Sequence, residues 1–499
     1  MPPLDSAESL AEGWQNVAPS EAPAAHGNPV FGVETRGFAH IPESERNMTL
    51  SQIGPLWLTS NLNVLSIILG CVGVTLGLPL WWALAACVLG NLPYAYVGLA
   101  CIGTARAGLP VTTLSRAVFG LRGNFFHALC GWVASVAYEV IGAVFGVYAL
   151  LALFKLAGWQ GSETVEKLLA ILLQLALAGG VAMLGHATMV FLQRYAALAL
   201  GPVLLLVLAY TCGRVEWATA GVSHAGLSTP AMLAAFMTAC GVLASQPIGY
   251  LFNGPDWLRY LPARTPARQI FHRVFWWAFL PAVVVTAMGA MWASLGDMSD
   301  PVAGLKPFIP PWLFVLYVLA VIGGSLAANV PVFYSSGLQL QSLGLKVERW
   351  AATAIDVLVS TLLVAYIVFV ADFTAVLNDF VALLLVWVGP YGAIWMCDGF
   401  LRRWVYAAGT VHRSSEPLAA RAASEGSRRR ILVGWIALGA GMAIGTLTMR
   451  SPLYDGPLAK LLGGTDLNWI LGFLVAGSTY YALSVTSSLR GSNSHVSTE

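Results

Sequence analysis

The stretch ASQPIGYLFNGPDWLRYLP, Ala244 to Pro262, joins an apolar segment to a polar run. It opens inside an apolar run, Ala231 to Phe252, that is long enough to cross a bilayer, for which about 20 apolar residues suffice. Within that run stand Gln246, Pro247 and Gly249. Pro247 lacks a backbone donor and crowds the preceding turn, Gly249 leaves φ unrestrained, and Gln246 places an amide where lipid penalises one. An interrupted helix is expected here, and interrupted backbone at membrane depth is tolerated only where it lines a protein cavity. A proline-kinked span packed against its neighbours is the plainer alternative. The polar run that follows, Asp256 to Pro262, favours the cavity.

Composition places the rest of the chain in the same setting. With 57% hydrophobic residues, 10% charged and a mean hydropathy of +0.72, the sequence is that of a polytopic membrane protein. The seven cysteines fall mostly in apolar segments, without CxxC or Cys/His spacing, and read as small core residues, neither metal ligands nor disulfide partners. Apolar runs of spanning length give twelve candidate helices, at 53–77, 80–104, 125–154, 165–185, 188–211, 231–252, 269–294, 311–341, 349–371, 374–398, 431–449 and 464–487. With both termini in the cytoplasm, the inner loops hold Arg106, Arg116, Arg122, the arginines from 259 to 273, Lys346, Arg349 and the cluster from Arg402 to Arg430. The outer loops hold only Lys155, Lys167, Arg214, Lys306, Arg450 and Lys460. This bias predicts the orientation and supports the span count, because losing one span would invert every later loop.

The domain plan that results has a disordered cytoplasmic tail at 1–50, rich in Pro, Ala, Ser and Glu, and a core of ten helices at 51–400. A cytoplasmic basic loop at 401–430, helices eleven and twelve at 431–488 and a cytoplasmic tail at 489–499 complete it. The first span, LTSNLNVLSIILGCVGVTLG, carries Asn61, Asn63 and Ser66 ahead of Gly70 and Gly73, and so resembles the sixth in being interrupted. Two interrupted spans five helices apart point to an inverted repeat, one to five against six to ten, with a site between the halves.

Three buried polar positions stand out as candidates. In the third span, CGWVASVAYEVIGAVFG, Glu139 shares a helical face with Trp132, Ser135 and Gly142. An ionised carboxylate facing lipid is costly, so Glu139 is expected to face the bundle. Asp356, early in the ninth span, is the weaker acidic candidate. In the eighth span Asn329 precedes Pro331, which frees a carbonyl one turn upstream, and its amide can both donate and accept.

These segments resemble the nucleobase–cation symporter family, most closely its purine-cytosine permease branch, from about Thr59 to Arg403. The matching residues are Gly90-Asn91, Ser115 to Gly120 with Gly123, Asp256 to Pro262, Ala327-Ala328-Asn329 with Tyr334 and Gly337, and Gly389-Pro390-Tyr391 through Asp398 to Arg402-Arg403. The resemblance implies an all-α leucine-transporter fold, a five-plus-five inverted repeat with broken helices 1 and 6, and uptake of a base coupled to Na⁺ or H⁺. Family members usually present a tryptophan on the third helix to stack on the base, and here that position is Tyr138, followed by Glu139. Sodium-dependent relatives place hydroxyls five and six residues before the asparagine of the eighth helix, where this chain has Gly324 and Gly323, with Ser325 one place off. H⁺ is therefore the expected coupling ion, with Glu139 as the coupling acid, and no metal or cofactor is expected.

The chemistry of the residues agrees. A base is a flat, neutral disc ringed by donors and acceptors, which calls for aromatic faces and edge-binding amides. Tyr138 and Trp132 are the candidate faces. The candidate edge and lining residues are Asn63, Ser66, Ser135, Glu139, Gln246, Pro247, Gly249 and Asn329. The expected function is import of cytosine or a purine such as adenine, guanine or hypoxanthine by alternating access in the cell (plasma or inner) membrane. A sodium-coupled carrier, or an amine or amino-acid carrier of the same fold, is the alternative. No HExxH, Gly-x-Ser-x-Gly or paired acids at ligand spacing supports an intramembrane enzyme. Nothing in the sequence suggests nucleic-acid binding, and the oligomeric state is left open.

Overall fold

The computed structural model describes residues 28–217, 226–370, 373–406, 425–451 and 454–493. Among them, eleven helices are long and apolar enough to cross a membrane, and a bent pair makes the twelfth. They are α1 (Leu50–Asn61 with Val64–Thr75), α2 (Leu80–Ala107), α3 (Arg122–Leu156), α4 (Glu163–Leu184), α5 (His186–Cys212) and α6 (Thr229–Phe252). The second half holds α7 (Ala267–Ala293), α8 (Pro311–Ser342), α9 (Arg349–Phe369), α10 (Phe373–Leu401), α11 (Glu425–Thr448) and α12 (Asn468–Asn493). The expected spans are all present, within a few residues of their limits.

The bend in α1 has a local cause. Asn63 takes an extended conformation, and its side-chain oxygen accepts the main-chain N–H of Ser66 at 3.0 Å, capping the second half as a new helix. The two halves meet at 55°. In α6 the interruption falls later than expected. The chain stays α-helical through Gln246, Pro247 and Gly249, tightens to a 3₁₀ turn at Tyr250–Phe252 and resumes after Asn253 as a second 3₁₀ turn, Gly254–Leu258. A proline needs only the carbonyl one turn back to go unpaired, which bends a helix without ending it. The Asn-Gly-Pro run downstream ends it.

Two helix groups hold the core. In one, α1 and α2 pack on α7, and α2 on α6; in the other, α3 packs on α8, α4 on α9, and α8 on both α4 and α9. The α1–α7 crossing is closed to the backbone, because a side chain at Gly70 would meet the Thr286 carbonyl and one at Gly289 would meet the Ile67 carbonyl, each at 1.9 Å. Small residues at such crossings let helices approach where no hydrophobic force drives them together. Gly120, two residues before α3, sits at φ 72°, a conformation that favours glycine, and turns the chain out of the short helix preceding it. α12 packs on α10 and α11, outside both groups. The basic loop expected at 401–430 lies largely outside the described residues, as do 1–27 and 494–499.

The polar N-terminal segment departs from its expected character. Residues 28–49 are not a free tail; they run along the end of the helices that carries the start of α5 and the end of α2. Glu34 is buried, and its carboxylate accepts from Arg259 at 2.7 Å, Tyr260 at 2.9 Å and the His186 N–H at 2.9 Å. Arg349 donates to the Glu34 carbonyl, and Arg46 to those of Ile41 and Ala105. Composition suggested disorder because few apolar residues stand here; buried ion pairs supply the anchoring instead.

Candidate substrate-binding site

A small cavity, about 40 Å³, lies where the two helix groups meet. The capped bend of α1 contributes Asn63, Val64 and Leu65; α3 contributes Tyr138, Gly142 and Phe145. Gln246, Gly249 and Tyr250 come from α6, with Asn253 just beyond it, and Ser325, Ala328, Asn329 and Val332 from α8. Every lining side chain is uncharged.

Each polar group here is held from behind. The Tyr138 hydroxyl donates to the Ser245 carbonyl at 3.0 Å, and Gly249 makes room for it, since a side chain there would meet that hydroxyl at 2.4 Å. The Asn329 Nδ2 donates to the main-chain carbonyl of Glu139 at 2.9 Å, while its oxygen lies over Gly142. The Gln246 amide is turned toward α1, where it pairs with Ser66 at 2.9 Å and with Asn61 at 3.3 Å. Asn253 Oδ1 accepts from Ser135 and from Gln339, each at 2.9 Å.

Of the ten residues expected in the site, Asn63, Tyr138, Gln246, Gly249 and Asn329 line the cavity. Ser66 stands behind Gln246, and Ser135 behind Asn253. Pro247 is not among the lining residues and lies within the continuous helix. Trp132 and Glu139 are also set back from the cavity. The Trp132 indole N–H donates to Asp356 at 2.7 Å, and Glu139 accepts from Ser360 at 2.8 Å. Phe145, Tyr250, Asn253 and Ser325 line the cavity and were not foreseen. Asn253 was legible in principle, as the residue before Gly-Pro where a helix must stop, but the expected break seven residues upstream obscured it.

On the side carrying the N-terminal segment the field is strong. Burial alone would push the Glu34 carboxyl up, but the Arg349 and Arg259 guanidiniums and the His186 N–H outweigh it and hold it at about 2. Asp256, buried just beyond α6, accepts the Val111 N–H at 2.7 Å, yet its second oxygen has no donor. Burial pushes its carboxyl up to about 7, against the pull of that N–H and of Arg259.

Residues 40–472 match the family model described as a permease for cytosine/purines, uracil, thiamine and allantoin. The Bacillus subtilis protein YxlA, which bears the name of a purine-cytosine permease, is 24% identical over 478 residues, covering 90% of this chain and 96% of the relative. The purine-cytosine permease fcyB of Emericella nidulans is 24% identical over 484 residues, covering 91% and 88%. Among solved structures, Mhp1, a nucleobase-cation-symport-1 family transporter, is similar in its closed conformation with bromovinylhydantoin bound. The TM-score is 0.69 at 15% identity, over 90% of this chain and 94% of that one. Inward-facing Mhp1 gives 0.61 at 14% identity, over 95% of each chain. The expected all-helical architecture is the fold these structures share.

Proposed function

The chain belongs to the family of permeases for cytosine/purines, uracil, thiamine and allantoin, and on that premise we propose that it imports a nucleobase by proton symport. Such a permease is a multi-pass membrane carrier, not an enzyme. The observation that carries the substrate reading is the uncharged cavity between the two interrupted helices, with rings from Tyr138, Phe145 and Tyr250 and amides from Asn253 and Asn329. A flat, neutral, hydrogen-bonding ligand is what such a wall suits. A carboxylate or ammonium ligand would enter it without a counter-charge, which is costly away from water.

The coupling ion is inferred from what surrounds the bend in α1. A side chain at Gly324 would lie 2.2 Å from the Leu62 carbonyl oxygen, so the α8 backbone abuts the bend directly. Ser325 points elsewhere and donates to the Gly142 carbonyl. A hard cation wants six or so oxygen ligands, and Gly323 and Gly324 supply none from a side chain. Glu139, one side chain removed from the cavity through Asn329, is the acid we assign to proton coupling.

The test is uptake of radiolabelled cytosine and adenine into cells of a strain lacking its own carriers, competed with a panel of bases and nucleosides. Accumulation driven by an inward proton gradient, displaced by bases and not by amino acids, supports the reading. Displacement by amino acids or amines would overturn the substrate class, and accumulation that collapses without sodium would overturn the coupling.

A further inference from the structure

Glu139 on α3 and Asp356 on α9 are brought together by shared neighbours. Ser360, which donates to Glu139, lies one turn along α9 from Asp356, and Trp132, which donates to Asp356, lies two turns along α3 from Glu139. Both acids are fully buried, and neither lines the cavity. The donors around them are unevenly shared. Asp356 receives the Trp132 indole N–H on Oδ1 at 2.7 Å and the Ser336 hydroxyl on Oδ2. Glu139 receives the Ser360 hydroxyl on Oε2 at 2.8 Å, while its Oε1 has no donor. The groups facing the pair are thus Trp132 from α3, Ser336 from α8 and Ser360 from α9. Among the described residues, neither acid has an ion pair with a Lys, Arg or His.

Two carboxylates cannot share a hydrogen bond without a proton between them, and two adjacent negative charges in an apolar interior repel strongly. A single proton on Oε1 of Glu139 satisfies every contact at once. It is donated to Asp356, which as the ionised partner accepts from Trp132, Ser336 and Glu139.

We propose that Glu139 and Asp356 form one proton-holding unit, in which Glu139 carries the proton and Asp356 is the fixed acceptor that holds it there. This deepens, and rests on, the proton-symport reading. The only bond made on loading is O–H at Glu139, and the only bond broken on release is the same one, the proton arriving from one side of the membrane and leaving to the other. The pair then passes between one negative charge and two. Its link to the cavity is short, because the Glu139 carbonyl accepts the amide of Asn329. Asp356 is accordingly a positioning residue for the coupling step.

The experiment compares the pH dependence of uptake in wild type, Glu139→Gln, Asp356→Asn and the double variant, reconstituted in vesicles. Glu139→Gln is expected to lose pH dependence, because its amide still donates to Asp356 but cannot titrate. Asp356→Asn should keep a pH dependence whose midpoint moves toward acid by about one unit or more, since the negative neighbour is gone. The double variant should match Glu139→Gln. An Asp356→Asn midpoint equal to wild type would overturn the pairing, whereas a flat wild-type profile would overturn the symport reading instead. An infrared readout on purified protein judges the pair without transport. A protonated-carboxyl C=O band that is lost in Glu139→Gln and displaced in Asp356→Asn supports it; a band unchanged in both overturns it.

Discussion

Asn329 and Glu139 are joined side chain to main chain: the amide on the cavity wall donates to the carbonyl of the acid behind it at 2.9 Å. One residue therefore touches both the space for a ligand and the residue assigned to proton coupling.

Asn329→Ala removes an edge-binding amide and unpairs that carbonyl. We expect the Michaelis constant for uptake to rise ~10-fold or more, since a lost hydrogen bond in a buried site costs on the order of 1–3 kcal/mol. Gln246→Ala should differ, because the Gln246 amide is tied to Ser66 and Asn61 and its loss loosens α1 from α6. It should lower Tm as well as affinity. Initial rates against substrate concentration, with surface abundance measured in parallel, separate the two; unchanged affinity in both would place the ligand elsewhere.

Transport should be indifferent to sodium. Replacing sodium by choline at fixed pH is expected to leave initial rates within a factor of about two, because Gly323 and Gly324 offer no side-chain oxygen to a cation's shell. Gly324→Ser should fail to create sodium dependence and should abolish uptake, its side chain colliding with the Leu62 carbonyl. A steep loss of wild-type uptake in choline contradicts the coupling proposed.

Stability should depend on pH in two opposite limbs. The Glu34 carboxyl is held below its ordinary 4.5, at about 2, so its contribution is present above pH 4.5 and is lost as pH falls toward 2. That contribution is about 3 kcal/mol for a shift of this size. Asp256 is held above its ordinary 3.8, at about 7, so the fold is most favoured below pH 3.8 in that respect and loses the advantage as pH rises through 7. Glu34→Gln should flatten the acid limb and lower Tm at pH 7, leaving Arg259 and Arg349 without their anion. Asp256→Asn should raise Tm relative to wild type increasingly from pH 4 to 7, most above pH 7, and change it little below pH 3.8. Thermal unfolding of the purified protein from pH 2 to 9 checks both, and parallel wild-type and variant curves would refute the assignment.

The orientation is tested by labelling. Cysteines at Ser162 and Ser299, both exposed, should react with an impermeant thiol reagent added to intact cells, and one at Leu345 should react only after permeabilisation. The reverse pattern at any of the three would break the topology.

The features legible along the chain are local ones. Twelve apolar runs set the spans, because desolvating a helix in lipid depends on its own residues. The bend in α1 was legible at Asn61, Asn63 and Ser66, because an N-cap is a bond between neighbours in the chain. The interruption of α6 was legible in kind but misplaced, since Pro247 and Gly249 look like breakers in sequence while the surrounding helices hold them in a continuous turn. What only the tertiary structure decided is who faces whom. Helical spacing put Glu139 and Trp132 on one face of α3 but could not name the helix opposite, and so ranked Asp356 as a lesser acid when the Trp132 indole donates to it. Glu34, set in a polar segment that reads as a free tail, becomes a buried anchor because Arg259 and Arg349, more than two hundred residues along the chain, converge on it. Charges in an apolar interior are stable only in company, and that company is assembled by the packing of helices distant in sequence.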